Sequence, residues 1–573
     1  MKHILSYLKS YKAEAIIAPL FKMLEASFEL IIPLIVADMI DNGIPAGDKT
    51  YLVGRFSLMV LFGVIGLSVS LIAQYSAAKA ALGCGTAMRR ELFQHILAMS
   101  HREIDQAGTS TLITRMTSDI NQVQNGVNMF LRLLLRSPFV VLGAMVMALR
   151  IHLKSGLIFV VLIPILFLII WAILNGTMPL YRKVQSKLDK VVLNARENLT
   201  GVRVVRAFHH EEKEKEMFQK NSETLYKNQI FVGKISAIMN PATYALVNCG
   251  IICILYYGGH QVDAGILSRG QIVALVNYMS QILIELVKLA NLIILLSRSV
   301  ASLKRVEQVF AMNEPLANGI KSYTAKAPDA PFLQFQDVSF SYYKGGAPAL
   351  SGISFTIRGE KTIGIIGGTG SGKSSLVRLI PRFYDPSEGA VHLYGTDLKE
   401  LDYQELRHHI GMVPQKASLV KGTIRSNLNW GCRSASDEVL WRALETAQAK
   451  DFVAALSDGL DAPVEQGGLN FSGGQRQRLT IARALTGDPD ILILDDSASA
   501  LDYATDLHLR QAIRNSLAET KVFIVSQRVS AVRNADLILL LDRGKLIDTG
   551  THSQLFASSQ LYREICLSQN ISK

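Results

Sequence analysis

The sequence predicts a membrane domain of six transmembrane helices with long cytoplasmic extensions, followed by an α/β domain built around a phosphate-binding loop. Three observations carry this expectation. Six apolar stretches, each near the ~20 residues that cross a bilayer, occupy the first half of the chain. Two long stretches between them are helical in pattern and rich in Lys and Arg. The last 240 or so residues contain a glycine-rich loop between a strand-like and a helix-like segment. Composition agrees: 573 residues with 49% hydrophobic and 19% charged content suit two or more domains, and the positive mean hydropathy is unusual for a soluble protein. A net charge of +12 would suit nucleic acid, but in a membrane protein it marks cytoplasmic loops and anionic lipid, so no nucleic-acid partner is expected. Cys84, Cys249, Cys253, Cys432 and Cys566 form no C-x-x-C pair, which argues against zinc and structural disulfides and fits a reducing cytosol. No cleavable signal is expected in 1–12.

At the start of the chain, Ile4, Leu5, Leu8 and Tyr11 at near-helical spacing, with Lys2, Lys9 and Lys12 between them, predict a short amphipathic helix on the cytoplasmic membrane surface. Spans are expected at 14–40, 53–78, 131–151, 156–180, 236–258 and 272–297. Arg132 and Arg136 fall in the first turns of the third and are expected to face protein or water. The loops at 41–52, 152–155 and 259–271 are short and poor in cations, whereas 79–130 and 181–235 are long and hold many more Lys and Arg. The long connections, the N-terminus and the C-terminal domain therefore all lie on the cytoplasmic side. Two arms of about fifty residues exceed what a turn requires, and a physical link to the C-terminal domain explains them.

In the sixth span Asn277, Gln281, Glu285 and Lys288 share one helical face, and Glu285 and Lys288 are spaced to pair. The face is a candidate lining of a transport pathway, with helix–helix contact as the alternative. The membrane domain is expected to occupy 1–312, a Pro- and Ala-containing linker 313–331, and the second domain 332–573.

Within that domain, Ile363 to Ile366 reads as a strand, Gly367-Gly368-Thr369-Gly370-Ser371-Gly372-Lys373-Ser374 as a phosphate-binding loop, and Ser375 to Ile380 as the helix after it. Backbone N–H groups surround β- and γ-phosphates, Lys373 adds a point charge, and Ser374 is placed to ligate Mg²⁺ alongside Asp495. About 105 residues downstream, Ser472-Gly473-Gly474-Gln475 is a second anion-binding turn opening a helix. Ile491-Leu492-Ile493-Leu494-Asp495 is a buried-strand pattern with a carboxylate at the end where α/β ligands collect. Tyr342, after the strand-like 335–340, offers a π surface to a base.

Together these elements resemble the nucleotide-binding domain of an ABC transporter over roughly 332–570, and the six-span arrangement is similar to a type IV exporter half-transporter. The resemblance implies ATP and Mg²⁺ as cofactors, with Tyr342 on the adenine, Gly367 to Ser375 and Lys373 on the phosphates, and Ser374, Asp495 and Gln415 at the metal. It makes Ser472, Gly473, Gly474, Gln475 and Asp502 the groups offered to a partner's ATP. It also makes 105–116 and 201–208 the helical segments that couple the two domains. Two positions depart from the family. Asp496 stands where many members have a glutamate general base, and Gln527 where the family has the switch histidine. Asp is one methylene shorter, about 1.5 Å, and a glutamine amide supplies neither charge nor proton exchange. Phe471 replaces a more usual leucine before an otherwise intact signature.

Because the family's sites combine residues of two chains, the resemblance implies a heterodimer with a related half-transporter that carries the competent catalytic pair. The expected activity is ATP-driven export of amphipathic small molecules in a bacterial inner or plasma membrane, among membrane lipid. An ATP-gated channel or regulatory subunit, and a lipid, peptide or siderophore transporter, stay open as alternatives.

Overall fold

The computed structural model describes residues 6–312, 316–323, 330–343, 345–432, 434–497, 501–517 and 519–571. Lys2, Ile4 and Leu5 of the expected surface helix, and 313–315 and 324–329 of the expected linker, lie outside the described residues. The chain divides into two compact units, Met1–Leu97 with Gly108–Met312, and Ala98–Ala107 with Asn313–Lys573.

In chain order the first helices are α1 (Lys12–Asp38), α2 (Lys49–Ala98), α3 (His101–Ala107), α4 (Thr109–Ile151), α5 (Leu153–Thr200), α6 (Glu211–Asp263) and α7 (Arg269–Ala311). Of these, α3 belongs to the second unit. The long connections expected at 79–130 and 181–235 are extensions of the membrane helices themselves: α2 runs to Ala98, α5 to Thr200, and α6 starts at Glu211. Among the described residues five helices, α2 and α4 to α7, are long and apolar enough to cross a membrane, one fewer than the six spans expected. The exception, α1, covers the expected first span over 27 residues but carries Lys22, Glu25 and Glu29. Those charges are used internally. Lys22 Nζ lies 2.5 Å from Glu25 Oε2 and donates to Ser70 Oγ at 3.0 Å, while Arg136 Nη2 donates to both oxygens of Glu29 at 2.8 Å.

Arg136 is the centre of a buried ion cluster joining α1, α4 and α7. Its Nη1 donates to Glu285 Oε1 at 2.7 Å, and the same carboxylate accepts from Ser137 Oγ and Lys288 Nζ, each at 2.8 Å. Arg136 is 6% exposed and Glu285 2%, so the expectation that this arginine faces protein holds. The candidate face of α7 is unevenly buried. Glu285 and Lys288 do pair, but Glu285 faces neighbouring helices, Gln281 Nε2 sits 3.5 Å from the Glu29 carbonyl, and Asn277 is exposed. Removing one member of a buried pair strands the other charge, at a cost of about 3–5 kcal/mol. Glu285→Ala is therefore expected to lower the thermal stability of the purified protein sharply and Asn277→Ala hardly at all, as read by loss of monodisperse material on heating. Equal stability of the two variants would contradict this role of the cluster.

The start of α7 is pinned by its own cap and by residues at the end of α1 and just beyond it. Ser268 caps the helix with Gln271 in a reciprocal capping box, and Asp41 accepts from Ser268 Oγ and from the Gly270 N–H, the latter at 2.7 Å. Gly270 is required there, since a Cβ would stand 2.2 Å from the Ala37 carbonyl.

The second unit is the expected mixed α/β domain. Its longer strands are β1 (Leu333–Phe340), β2 (Leu350–Ile357), β3 (Thr362–Ile366), β4 (Glu388–Leu393), β5 (Ile410–Val413), β6 (Ile491–Asp495), β7 (Lys521–Ser526), β8 (Leu537–Asp542) and β9 (Lys545–Gly550). β1 pairs antiparallel with β2 and β4 in one sheet. The larger sheet runs β9-β8-β3-β7-β6-β5, parallel throughout except for the β8–β9 edge. All five residues of β6 are buried, as a strand covered on both faces demands. The parallel register brings the carboxyl ends of β3, β6 and β7 side by side, with Ile366 opposite Ser526 and Asp495 opposite Val525. The helices that follow are α8 (Lys373–Leu379), α9 (Gly473–Leu485) and α10 (Tyr503–Ser516).

The short helix α3 packs within this unit. His101 stacks on Phe383 with ring centroids 4.5 Å apart, Arg102 Nη2 donates to the Ser341 carbonyl at 3.0 Å, and Tyr384 Oη donates to Asp105 Oδ2 at 2.6 Å. The packed helix starts at His101, four residues before the expected segment 105–116, and ends before Gly108, whose φ of +74° breaks the helix. The missed start signal is a capping box, with Ser100 N–H donating to Glu103 Oε2 at 2.8 Å and Glu103 N–H to Ser100 Oγ at 3.3 Å. The second segment, 201–208, contains a short helix, Val202–Ala207, with Val204 and Phe208 exposed.

Candidate active site

The loop between β3 and α8 forms a cradle at the carboxyl edge of the sheet. Gly370 and Gly372 take φ values of +78° and +96°, which L side chains rarely adopt. A Cβ on Gly372 would meet the Ala349 carbonyl at 2.8 Å, whereas around Gly368 and Gly370 the space is open, on the side where an anion would approach. Thr369 is exposed and Ser371 buried. Lys373 is 8% exposed, and its Nζ donates to the carbonyls of Gly367 at 2.8 Å and Gly368 at 2.7 Å, inside the loop. Burial pushes the Lys373 ammonium below its ordinary pKa, and Asp496 and Asp495 oppose that shift.

Ser374 and Asp495 meet as the sequence predicts. Ser374 Oγ donates to Asp495 Oδ1 at 2.8 Å, although 121 positions separate the two residues. Asp495 is 1% exposed. Burial raises its carboxyl pKa, and the Ser374 hydrogen bond, Arg378 and Lys373 oppose the rise. A hydroxyl and a carboxylate at hydrogen-bond distance beside a phosphate cradle form a donor set of hard oxygens that fits Mg²⁺ better than a transition metal. Gln415 and Asp496 also come together, with Gln415 Nε2 donating to Asp496 Oδ2 at 3.4 Å. Asp496 holds φ +48°, a left-handed conformation for a residue with a Cβ, and its N–H donates to the Val525 carbonyl at 3.0 Å. Gln527 is exposed after β7, and its Oε1 accepts from Thr369 Oγ1 at 3.4 Å.

Tyr342 joins the same edge. Its hydroxyl lies 3.0 Å from Ser375 Oγ and accepts from Arg378 Nη1 at 3.4 Å, and its ring stands edge-on to Phe340 and Tyr384. Ser472 and its neighbours serve their own helix. Ser472 Oγ accepts from Gln475 N–H at 3.3 Å, and Gln475 Oε1 accepts from Ser472 N–H at 2.9 Å, which caps α9 and leaves Gly473 with open space beside it. Asp502 caps α10 in the same way, accepting from Thr505 N–H at 2.8 Å and Thr505 Oγ1 at 2.9 Å, which holds its carboxyl below the usual range. Gly474, like Gln475, lies in the first turn of α9.

Comparison with known proteins adds two family matches: residues 15–286 match the ABC transporter transmembrane region, and residues 350–499 match the ABC transporter family. An uncharacterised ABC transporter ATP-binding protein of Bacillus subtilis (strain 168), YfiB, is 35% identical over 99% of this chain and 98% of its own length. The chain belongs to the ABC transporter family. A second protein of that organism, YgaD, provisionally named a multidrug export ATP-binding/permease protein, is 30% identical and covered over the full length of both chains. The ATP-dependent lipid A-core flippase of Hahella chejuensis (strain KCTC 2396) is 30% identical over 88% of this chain and 85% of that protein. A solved ATP-bound structure of a bacterial Atm1-family ABC exporter shares the fold, with a TM-score of 0.79 over 99% of each chain and 22% identity.

This ABC transporter is a half-transporter with the exporter fold, one membrane region and one ATP-binding domain on one chain, a multi-pass membrane protein with its nucleotide-binding domain in the cytoplasm. Sequence reasoning missed Arg378, which supports both Tyr342 and Asp495, and the His101–Phe383 and Asp105–Tyr384 contacts. Arg378 sits five residues after Lys373 and its direction could be inferred only from the helical phase of α8.

Proposed function

We propose that this ABC transporter is the ATP-retaining half of a heterodimeric exporter of amphipathic small molecules, drugs or lipids, with α1 serving as the sixth span. The observation that carries the reading is the sorting of its sites: the binding groups Lys373, Ser374, Asp495 and Gln415 are all present, while the two hydrolytic positions hold Asp496 and Gln527.

In this reading Tyr342 stacks on adenine, and the N–H groups of 367–375 with Lys373 hold the phosphates. A Mg²⁺ ion held by Ser374 and Asp495, with Gln415 nearby, would neutralise charge between phosphate oxygens. Asp496 is a poor base because a general base must come within about 2.6–3.2 Å of its proton, and a misplacement of ~1 Å costs about a hundredfold. The carboxylate is a methylene short of a glutamate and is engaged by Gln415 at 3.4 Å. Gln527 turns its amide oxygen, an acceptor, toward Thr369 and cannot become an imidazolium. The chain's own site then holds ATP as a lasting clamp, and turnover takes place at the partner's phosphate loop, completed by Ser472 to Gln475 and Asp502 of this chain. The exposed helix Val202–Ala207 is left to engage the partner's ATPase domain.

The names of the two similar proteins above, one for multidrug export and one for lipid A-core flipping, support an amphipathic cargo. The same two substitutions favour one other reading, an ATP-gated channel or regulatory subunit in which binding moves the spans without turnover. Vanadate-sensitive ATPase activity of the chain in nanodiscs, alone and co-expressed with a related half-transporter, tests the proposal. Robust activity is expected only with the partner, and a low basal rate from the chain alone. Robust activity of this chain alone would overturn the heterodimer, and absence of turnover in a complex that still moves solute would favour gating.

A further inference from the structure

We propose that the groove between α10 and the short helix Val529–Val532, on the nucleotide-binding domain but away from the phosphate loop, binds a small amphipathic anion: an aliphatic chain ending in a carboxylate.

The groove exists because one strand of the larger sheet is left partly uncovered, whereas a parallel sheet is normally covered on both faces. On this face α10 packs Leu509 and Ile513 into one cluster with Leu492 and Leu494 of β6. The helix Val529–Val532 lies close over β3, where a Cβ on Gly364 would stand 2.7 Å from Val532 Cβ. Between them runs β7. Its Ile524 sits opposite Leu494 on one side and Gly364 on the other and touches the apolar clusters of both helices, yet it is only partly buried. The seam opens into a groove of about 480 Å³, within the roughly 300–1,000 Å³ of small-molecule sites. Ile513, Leu517, Val522, Ile524, Ala531 and Ala535 make its lining largely apolar, and Leu507, 38% exposed, adds to it.

The polar part of the lining is cationic. Lys361, Arg510 and Arg514 stand against a single carboxylate, Asp536, whose Oδ2 already accepts from the N–H groups of Lys361 at 2.9 Å and Thr362 at 2.8 Å. Arg510 ties the two walls together, donating to Asp506 Oδ2 at 2.5 Å and to the Ser530 carbonyl at 2.6 Å, so its charge is matched. Arg514, one turn further along α10, is exposed and has no hydrogen bond or ion pair among the described residues. Gln511 and Asn534 add amide donors on opposite walls. Lys361 and Thr520 precede β3 and β7, which puts this end of the groove at the amino ends of strands whose carboxyl ends form the nucleotide edge.

These features select one class of occupant. An uncharged chain would leave the excess positive charge unanswered, a cation would be repelled by it, and an inorganic anion would leave the apolar lining wet. A carboxylate on an aliphatic tail meets both halves, with the carboxylate able to accept two parallel hydrogen bonds from the Arg514 guanidinium. The site requires neither the heterodimer nor the departures at Asp496 and Gln527.

Photolysis of the full-length chain in nanodiscs with a diazirine analogue of decanoate, followed by mass-spectrometric mapping of the labelled peptides, tests the proposal. Label is expected within 507–517 and 529–536, displaced by decanoate but not by equal concentrations of decanol or decyltrimethylammonium. Arg514→Glu is expected to lower that labelling about fivefold, and Arg514→Lys to keep most of it. In both variants TNP-ATP affinity should stay within about twofold and labelling of the membrane spans should not change, which separates the groove from probe carried in the lipid. Displacement by decanol as effective as that by decanoate would mean plain apolar partitioning and would overturn the proposal. Label confined to the spans, or equal labelling of wild type and Arg514→Glu, would overturn it as well.

Discussion

Ser472→Ala is expected to lower vanadate-sensitive ATP hydrolysis of the proposed heterodimer by about a hundredfold or more, whereas Asp496→Asn in the same chain lowers it by no more than about threefold. The asymmetry follows from where each side chain works. Ser472 opens α9 with its hydroxyl and two glycines at an exposed helix N-terminus, a geometry that in the proposed heterodimer would complete the phosphate site of the facing subunit. Asp496 belongs to this chain's own phosphate edge, where on the proposed reading the missing methylene and the Gln527 amide would already limit turnover. Alanine at 472 also removes the cap of α9, worth about 1 kcal/mol, so thermal unfolding is compared alongside. A complex that keeps its melting behaviour and its ATP binding but loses turnover locates the effect in the transition state. The opposite ranking, with Asp496→Asn abolishing activity and Ser472→Ala tolerated, would mean that this chain hydrolyses ATP at its own site.

Much of this was legible in the residues because phosphate chemistry constrains sequence locally. Gly367 to Ser374 must be contiguous, and β3 before it and α8 after it appear where the hydrophobic pattern puts them. The meeting of Ser374 with Asp495 was also legible, since parallel strands of one sheet end at a common edge. What sequence did not reveal depends on phase and packing. The charges of α1 read as part of an apolar span: Lys22 and Glu25 pair three residues apart, but Lys22 also reaches Ser70, and Glu29 is held by Arg136 over a hundred positions away. Glu285 shared a helical face with Asn277 by spacing alone, but the helices packed on α7 bury the first and leave the second exposed. The boundary of α3 was missed because its start is written in a capping box, Ser100 with Glu103, too short to produce a periodic signal.

Restoring the two departures is the complementary experiment, and its expected effect is a gain. In the chain purified alone, Asp496→Glu together with Gln527→His is expected to raise ATP hydrolysis about ten- to a hundredfold, with Asp496→Glu giving part of the gain and Gln527→His alone little. The glutamate adds the ~1.5 Å that carries a carboxylate from the left-handed turn after β6 toward a water in line with the γ-phosphate. The histidine replaces an amide whose oxygen accepts from Thr369 with a ring that donates and can carry charge near neutrality. A base without a group to hold the γ-phosphate gains only its proton-transfer share, and a histidine beside a misplaced base has nothing to orient, so the two changes should be more than additive. Initial rates at saturating Mg·ATP for the single and double variants measure that coupling. If the double variant is no faster than the wild type while ATP binding is retained, the limit on this chain lies outside Asp496 and Gln527, and the sorting of sites that implies a heterodimer loses its physical basis.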